Sequence, residues 1–222
     1  MTIDKLIRGK RQKRISIEVS LSGEVIVKAP AKTSSRVIDQ FVLDTLPWIH
    51  KQKQKAKQRV KPAGTRSFIA GELFLYLGEH YPLTIVPPSR EPLRLWGEFQ
   101  LSENYQPMAR AVFMEWYQAR AREKFKERLV WYSRLSGFTY KKLKLTSATT
   151  RWGSCSSDGN INIHWRLIMA PLAVIDYVIV HELAHTQELN HSKAFWDHVQ
   201  GLLPDYKTCR QWLQDFGQLL VL

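Results

Sequence analysis

Hydrophobic and polar positions alternate early in the chain and give way to helical periodicity later. Ile15, Ile17, Val19 and Leu21 alternate with polar residues, the period-two pattern of a half-buried strand. Ser22-Gly23 predicts a turn, and Val25, Ile26 and Val27 open a return strand. Thr33 or Ser34 can cap a helix through Ile38, Phe41 and Val42 to Leu46, where Pro47 interrupts it. A second helix starts near Trp48 and runs into HKQKQKAKQRVK, ending at Pro62-Ala63-Gly64. Phe68 to Tyr76 is apolar with a break at Gly71-Glu72, and Leu77 to Tyr81 reads as a turn. Leu83 to Val86 and Leu93 to Trp96 read as short strands separated by Pro87-Pro88.

The period changes after Pro107. Ala109, Phe113, Tyr117, Ala121, Phe125 and Leu129 recur every four residues, with Val112 and Trp116 alongside. This predicts an amphipathic helix to about Leu135, stopped by Ser136-Gly137, with its aromatic stripe in the core. Leu143 to Ser147 reads as a strand. Residues 151–156 and the run Ile161, Ile163, Trp165 read as two strands about an Asp158-Gly159-Asn160 turn. Pro171 opens a helix that is apolar on all sides from Ala173 to Ala184 except at Asp176, the mark of a helix central to its domain. Ser192 caps another through Phe195, Trp196 and Val199 to Leu203, and Pro204-Asp205 starts a last one to about Phe216. These elements divide into a basic, β-rich region over residues 1–104 with one or two helices and a second domain over 105–222.

Composition bounds what this chain does. Its 222 residues, 44% of them hydrophobic and eight of them Trp, are enough to bury a core. The opening MTIDKLIRGKRQKRISIEV has no apolar core for a signal peptide, and no run reaches the length of a membrane span. Cys155 and Cys209 form no paired-cysteine zinc pattern. A soluble, cytoplasmic protein without membrane contact is the expectation. The net charge of +13 is uneven: residues 1–61 hold 15 Lys and Arg against 5 Asp and Glu, whereas residues 181–222 hold 3 against 5. The basic N-terminal half therefore offers a contact for nucleic acid or another polyanion. Alternating cations on one helix spread over every face, so they make a solvated surface as readily as a reading surface.

The chemistry concentrates in Val178 to Trp196, VIVHELAHTQELNHSKAFW. His181 and His185 lie four apart and share one helix face, so both can hold a single ion; Glu182 between them can act as base to water there. For this composition roughly 0.01 chance matches to His-Glu-x-x-His are expected per chain. A catalytic zinc site takes three protein ligands and keeps one position open. His191, past a helix end expected near Asn190, is the natural third. One Zn²⁺ per chain is the expected cofactor, with another divalent transition metal as the alternative. His198, two turns along the next helix, reads as a helix-surface residue. Cys155 and Ser154 lie beside no activating base and read as packing.

These residues sit inside a wider pattern. Arg151-Trp152-Gly153-Ser154-Cys155, the His181–His185 motif, Asn190-His191-Ser192 with Phe195-Trp196, and Pro204-Asp205-Tyr206-Lys207 together resemble the YgjP-like metallopeptidase domain family, related to SprT-like and other small zincins. The resemblance implies an α+β fold, a small zincin-like metallohydrolase core with a sheet edge beside the metal helix and a basic β-rich N-terminal portion. It also implies His181, His185 and His191 as ligands and Glu182 as base, acting on a peptide or protein substrate. Candidates to steady an oxyanion are Arg151, His164, Arg166, Tyr177 and Tyr206. Two other functions fit the residues: a metal-dependent nucleotide phosphohydrolase of the nucleoside triphosphate pyrophosphatase type, and a nucleic-acid-associated protein with a structural zinc. The first lacks a Gly-rich phosphate loop, and the second needs a fourth ligand.

Overall fold

The computed structural model describes residues 3–9, 12–19, 24–50, 66–148 and 150–222. The chain divides into two compact units, Met1–Val60 and Lys61–Leu222.

In the first unit, β1 (Lys5–Gly9), β2 (Ser16–Val19) and β3 (Val25–Pro30) form a sheet in the order β1-β3-β2. β3 runs parallel to β1 and antiparallel to β2. The alternation in β3 buries Val25, Val27 and Ala29, which meet Ile38 and Val42 of α1 (Ser35–Asp44) and Ile49 in one core. β1 has no period-two alternation and is mostly exposed; its parallel ladder to β3, not a buried face, makes it a strand. Lys10 and Arg11, the expected Ser22-Gly23 turn and the cation-rich stretch 51–65 lie outside the described residues.

The second unit has one core shared by two sheets and four helices. β4 (Leu73–Tyr76), β5 (Glu79–Val86), β6 (Leu93–Leu95) and β7 (Phe99–Ser102) form a sheet in the order β4-β5-β7-β6. The turn between β4 and β5 is tighter than the five-residue stretch expected. Only Leu77 and Gly78 turn, both at positive φ (51° and 89°), so Glu79, His80 and Tyr81 extend β5. The tip of this hairpin docks just ahead of the metal-motif helix: Leu77 N donates to Ile168 O at 3.0 Å and Gly78 N to Met169 O at 3.1 Å. A Cβ on Gly78 would stand 2.9 Å from Pro171 Cα, so only glycine allows the approach.

A 3₁₀ turn (Glu103–Met108) takes up Pro107, and α2 (Ala109–Ser136) begins after it. The four-residue recurrence places Phe113, Tyr117, Ala121, Phe125 and Leu129 fully inside, and Gly137 closes the helix at φ 74°. β8 (Lys142–Thr146), β9 (Gly153–Cys155) and β10 (Asn160–His164) form the other sheet in the order β8-β10-β9. β10 is parallel to β8 and antiparallel to β9, which leaves β9 at an edge. Trp165, expected in the strand, instead opens a 3₁₀ turn (Trp165–Met169), where its indole donates to Ser147 Oγ at 3.1 Å. Then come α3 (Leu172–Ala184), α4 (Lys193–Leu202), whose N-cap Ser192 accepts from Phe195 N, and α5 (Tyr206–Phe216). The chain is thus α+β. No helix among the described residues is long and apolar enough to cross a membrane.

Candidate metal centre and active-site cleft

α3 is apolar around its circumference because it runs through the centre of the second unit; Ile175, Ile179, Val180, Leu183 and Ala184 are wholly buried. Its one early polar residue, Asp176, finds a partner on α2. Arg128 Nε and Nη2 donate to Asp176 Oδ1 and Oδ2 at 2.6 and 2.7 Å, a two-pronged pair that ties the long helix to the motif helix.

The helix stops at Ala184, six residues before the end expected at Asn190. The reason is local. Thr186 Oγ1 donates to Leu183 O at 2.7 Å, and the chain tightens into a turn at 185–187. The early stop lets the chain double back, so His191 returns to the face carrying His181 and His185. Each of the three rings offers a nitrogen, and these nitrogens all lie within 4.8 Å of one another. Phe195, fully buried on α4, packs against all three rings at centroid distances of 4.5 to 4.9 Å.

The donor set suits a divalent transition metal. His185 Nδ1 lies 2.9 Å from Glu188 O. A carbonyl only accepts, so Nδ1 carries the proton and Nε2 keeps its lone pair for a ligand. The Nε2 atoms of His181 and His191 are 3.1 Å apart. Two imidazoles holding one zinc tetrahedrally at ~2.0–2.1 Å would stand about 3.3 Å apart. Burial, then the neighbouring His185, His191 and Arg210, hold the His181 pKa down to about 3. Burial, His185 and Arg210 also lower that of His191. These two rings are therefore neutral near pH 7, the state that binds a metal.

Beside this cluster is a cleft of about 300 Å³, walled by Trp152, Tyr177, His181, Glu182 and Arg210 among others. Glu182 is 5% exposed, and burial raises its pKa to about 8 despite the opposing Arg151. A cation held by the three imidazoles would favour its carboxylate form. Gly153 of the edge strand β9 lies directly against it. A Cβ there would meet Glu182 Oε1 at 2.4 Å and Cγ at 2.7 Å. Gly153→Ala is therefore expected to displace the carboxylate, lowering hydrolysis by about 100-fold. The check is steady-state kinetics beside metal analysis, with metal content unchanged.

Of the five oxyanion candidates, the cleft brings in two, Arg151 and Tyr177. Tyr177 lies edge-on to the His181 ring at 5.8 Å and stacks on Tyr206. Burial pushes its hydroxyl up to about 12, so it remains a donor at neutral pH. Arg166 stacks on Trp165, and Tyr206 is buried against Trp196. Arg210 escaped the sequence reading. It lines the cleft and sits 5.3 Å over the Trp196 ring. Only the i, i+4 step from Tyr206 could have signalled it. His198 packs edge-on against Phe138 and is not part of the histidine cluster. The Cys155 thiol is pushed up to about 11 by burial and by Glu182, which suits packing and not attack.

His164 is buried and neutral. Its Nδ1 accepts from Arg166 N at 3.1 Å, and burial with Arg166 holds its pKa down to about 4. The folded value lies below the ordinary 6.5, so folding favours the neutral ring. That stabilisation is complete above pH 6.5 and is lost as the pH falls towards 4. Denaturant melts should show wild type losing ~2 kcal/mol more than His164→Gln between about pH 6.5 and 5. Parallel curves would contradict this.

The model of the YgjP-like metallopeptidase domain matches residues 13–216. The chain belongs to that family. Its family thus makes it a metallopeptidase, in keeping with a histidine triad able to hold a metal. It is also similar to the crystal structure of the metallopeptidase zymogen abylysin of Pyrococcus abyssi, at 18% identity and a TM-score of 0.39. That match covers 44% of this chain and 99% of the other. No curated protein matches.

Proposed function

We propose that this YgjP-like protein is a zinc-dependent peptidase in which His181, His185 and His191 hold the metal and Glu182 is the general base. The observation that carries this reading is the convergence of three imidazole nitrogens beside a buried glutamate that lines an open cleft. When bound, zinc lowers the pKa of water towards neutrality and polarises a carbonyl. Glu182 takes the proton from the attacking water and passes it to the leaving amine nitrogen. Tyr177 donates to the developing oxyanion, with Arg151 and Arg210 adding positive charge to the cleft. The free edge of β9 pairs with an extended peptide, laying it across Glu182.

Among the described residues the cluster has three donors, which suits an open catalytic position better than a closed structural one. A closed structural site needs a fourth ligand, and Asp197, the acid six residues past His191, is paired with Lys193 at 2.6 Å. One observation favours the phosphohydrolase alternative: Arg151 and Arg210 make the cleft attractive to a phosphate. The two reactions separate in one experiment, with purified zinc-loaded protein incubated with a casein digest and with nucleoside triphosphates. The expected result is new peptide amines, lost with chelator and restored by zinc. Phosphate or pyrophosphate release without peptide cleavage would overturn the peptidase reading.

A further inference from the structure

A second cleft, of about 610 Å³, opens between α2 and β8 and shares no lining residue with the metal-centre cleft. Arg122 and Lys126 of α2 form one wall. Lys142 and Lys144 of β8, with Tyr140 and Lys141 just before them, form the other. No lining residue is acidic. The neighbouring acids on α2 are engaged elsewhere, Glu123 with Arg120 at 3.2 Å and Glu127 with Lys124 at 2.6 Å. Five cations therefore face one concavity whose own lining holds no carboxylate, with Asp158 in a neighbouring hollow that Tyr140 and Lys141 also line.

Lysines on an edge strand have a simpler use, since they discourage pairing with a second sheet. That accounts for Lys142 and Lys144, because β8 pairs with β10 alone among the described strands. It does not account for the two cations facing them from α2, nor for the concave shape. The spacing is regular on both walls. Arg122 and Lys126 are one helical turn apart, about 5–6 Å. Lys142 and Lys144 share a strand face about 6.6 Å apart. Such steps let each side chain meet a different phosphate along one strand. The volume is that of a ligand pocket and admits a single strand more readily than a duplex. Tyr140, half-buried, adds a ring on which a base can stack.

We propose that the α2–β8 cleft binds the sugar-phosphate backbone of single-stranded nucleic acid. This is independent of the peptidase reading and offers a polyanion contact in the second unit, separate from the one expected of the basic N-terminal half. The test is a fluorescence-anisotropy titration of the full-length protein against a labelled 20-mer oligothymidylate at salt from about 50 to 200 mM. If each cation meets one phosphate, log affinity should fall against log salt with a slope near −3.5, roughly a 100-fold loss over that range. Lys142→Glu/Lys144→Glu should weaken binding at least tenfold and flatten the slope to about −2, with metal content unchanged. Wild-type-like binding by that variant would overturn the proposal, because other cations would then carry the charge. So would tighter binding of the matching duplex, or equal competition by polyglutamate at the same charge concentration.

Discussion

Glu182→Gln is expected to lower peptide-bond hydrolysis by 10²–10⁴-fold, the usual share of a positioned general base, while one metal ion stays bound per chain. The amide has nearly the shape of the carboxylate, so it fits the same space against Gly153. It cannot accept the water's proton. Glu182 makes none of the histidine contacts that bring the three ring nitrogens together, so the metal should remain. Kinetics on a quenched peptide, paired with metal analysis of the same preparation, give both values at once. Hydrolysis within tenfold of wild type would remove Glu182 from the chemistry.

Asp176→Ala should cost the second unit about 2–3 kcal/mol of stability. The Arg128 side chain is only 20% exposed and spends both prongs of its guanidinium on Asp176. Deleting the carboxylate strands a charge between α2 and α3, and breaking such a pair is more costly than never having had it. The value expected is below the usual 3–5 kcal/mol because Arg128 keeps some contact with water and lies over the Tyr132 ring at 5.3 Å. Urea melts followed by tryptophan fluorescence would measure it. Arg128→Met/Asp176→Leu, which replaces both partners with apolar groups, should recover most of the loss. A single-variant cost below about 0.5 kcal/mol would show that the pair is not structural.

The sequence and the structure agree where local rules govern and part where packing does. His181, Glu182 and His185 were legible because a four-residue step on a helix is a local fact. The stripe from Ala109 to Leu129 was legible for the same reason, and its members are buried in the core. The end of α3 was not, because side-chain bonds from Thr186 and His185 to main-chain carbonyls stop it early. Asp176 stood out as a polar residue in an apolar helix, but its partner is 48 residues away and no periodicity names it. Arg210 belongs to the cleft only because α5 packs against α3. β7 gives no clear signal in the sequence: Phe99 and Leu101 alternate with polar neighbours, but four residues are too short a window to stand out.

In the proposed centre, three histidines from a helix and its returning loop hold one metal. Metal content by inductively coupled plasma mass spectrometry, in wild type and in His181→Ala, His185→Ala and His191→Ala, tests it most directly. One equivalent of zinc is expected in wild type, with clear loss in each variant, including His191→Ala, whose position outside the motif helix makes it the strictest case. Full occupancy in His191→Ala would contradict the three-histidine centre.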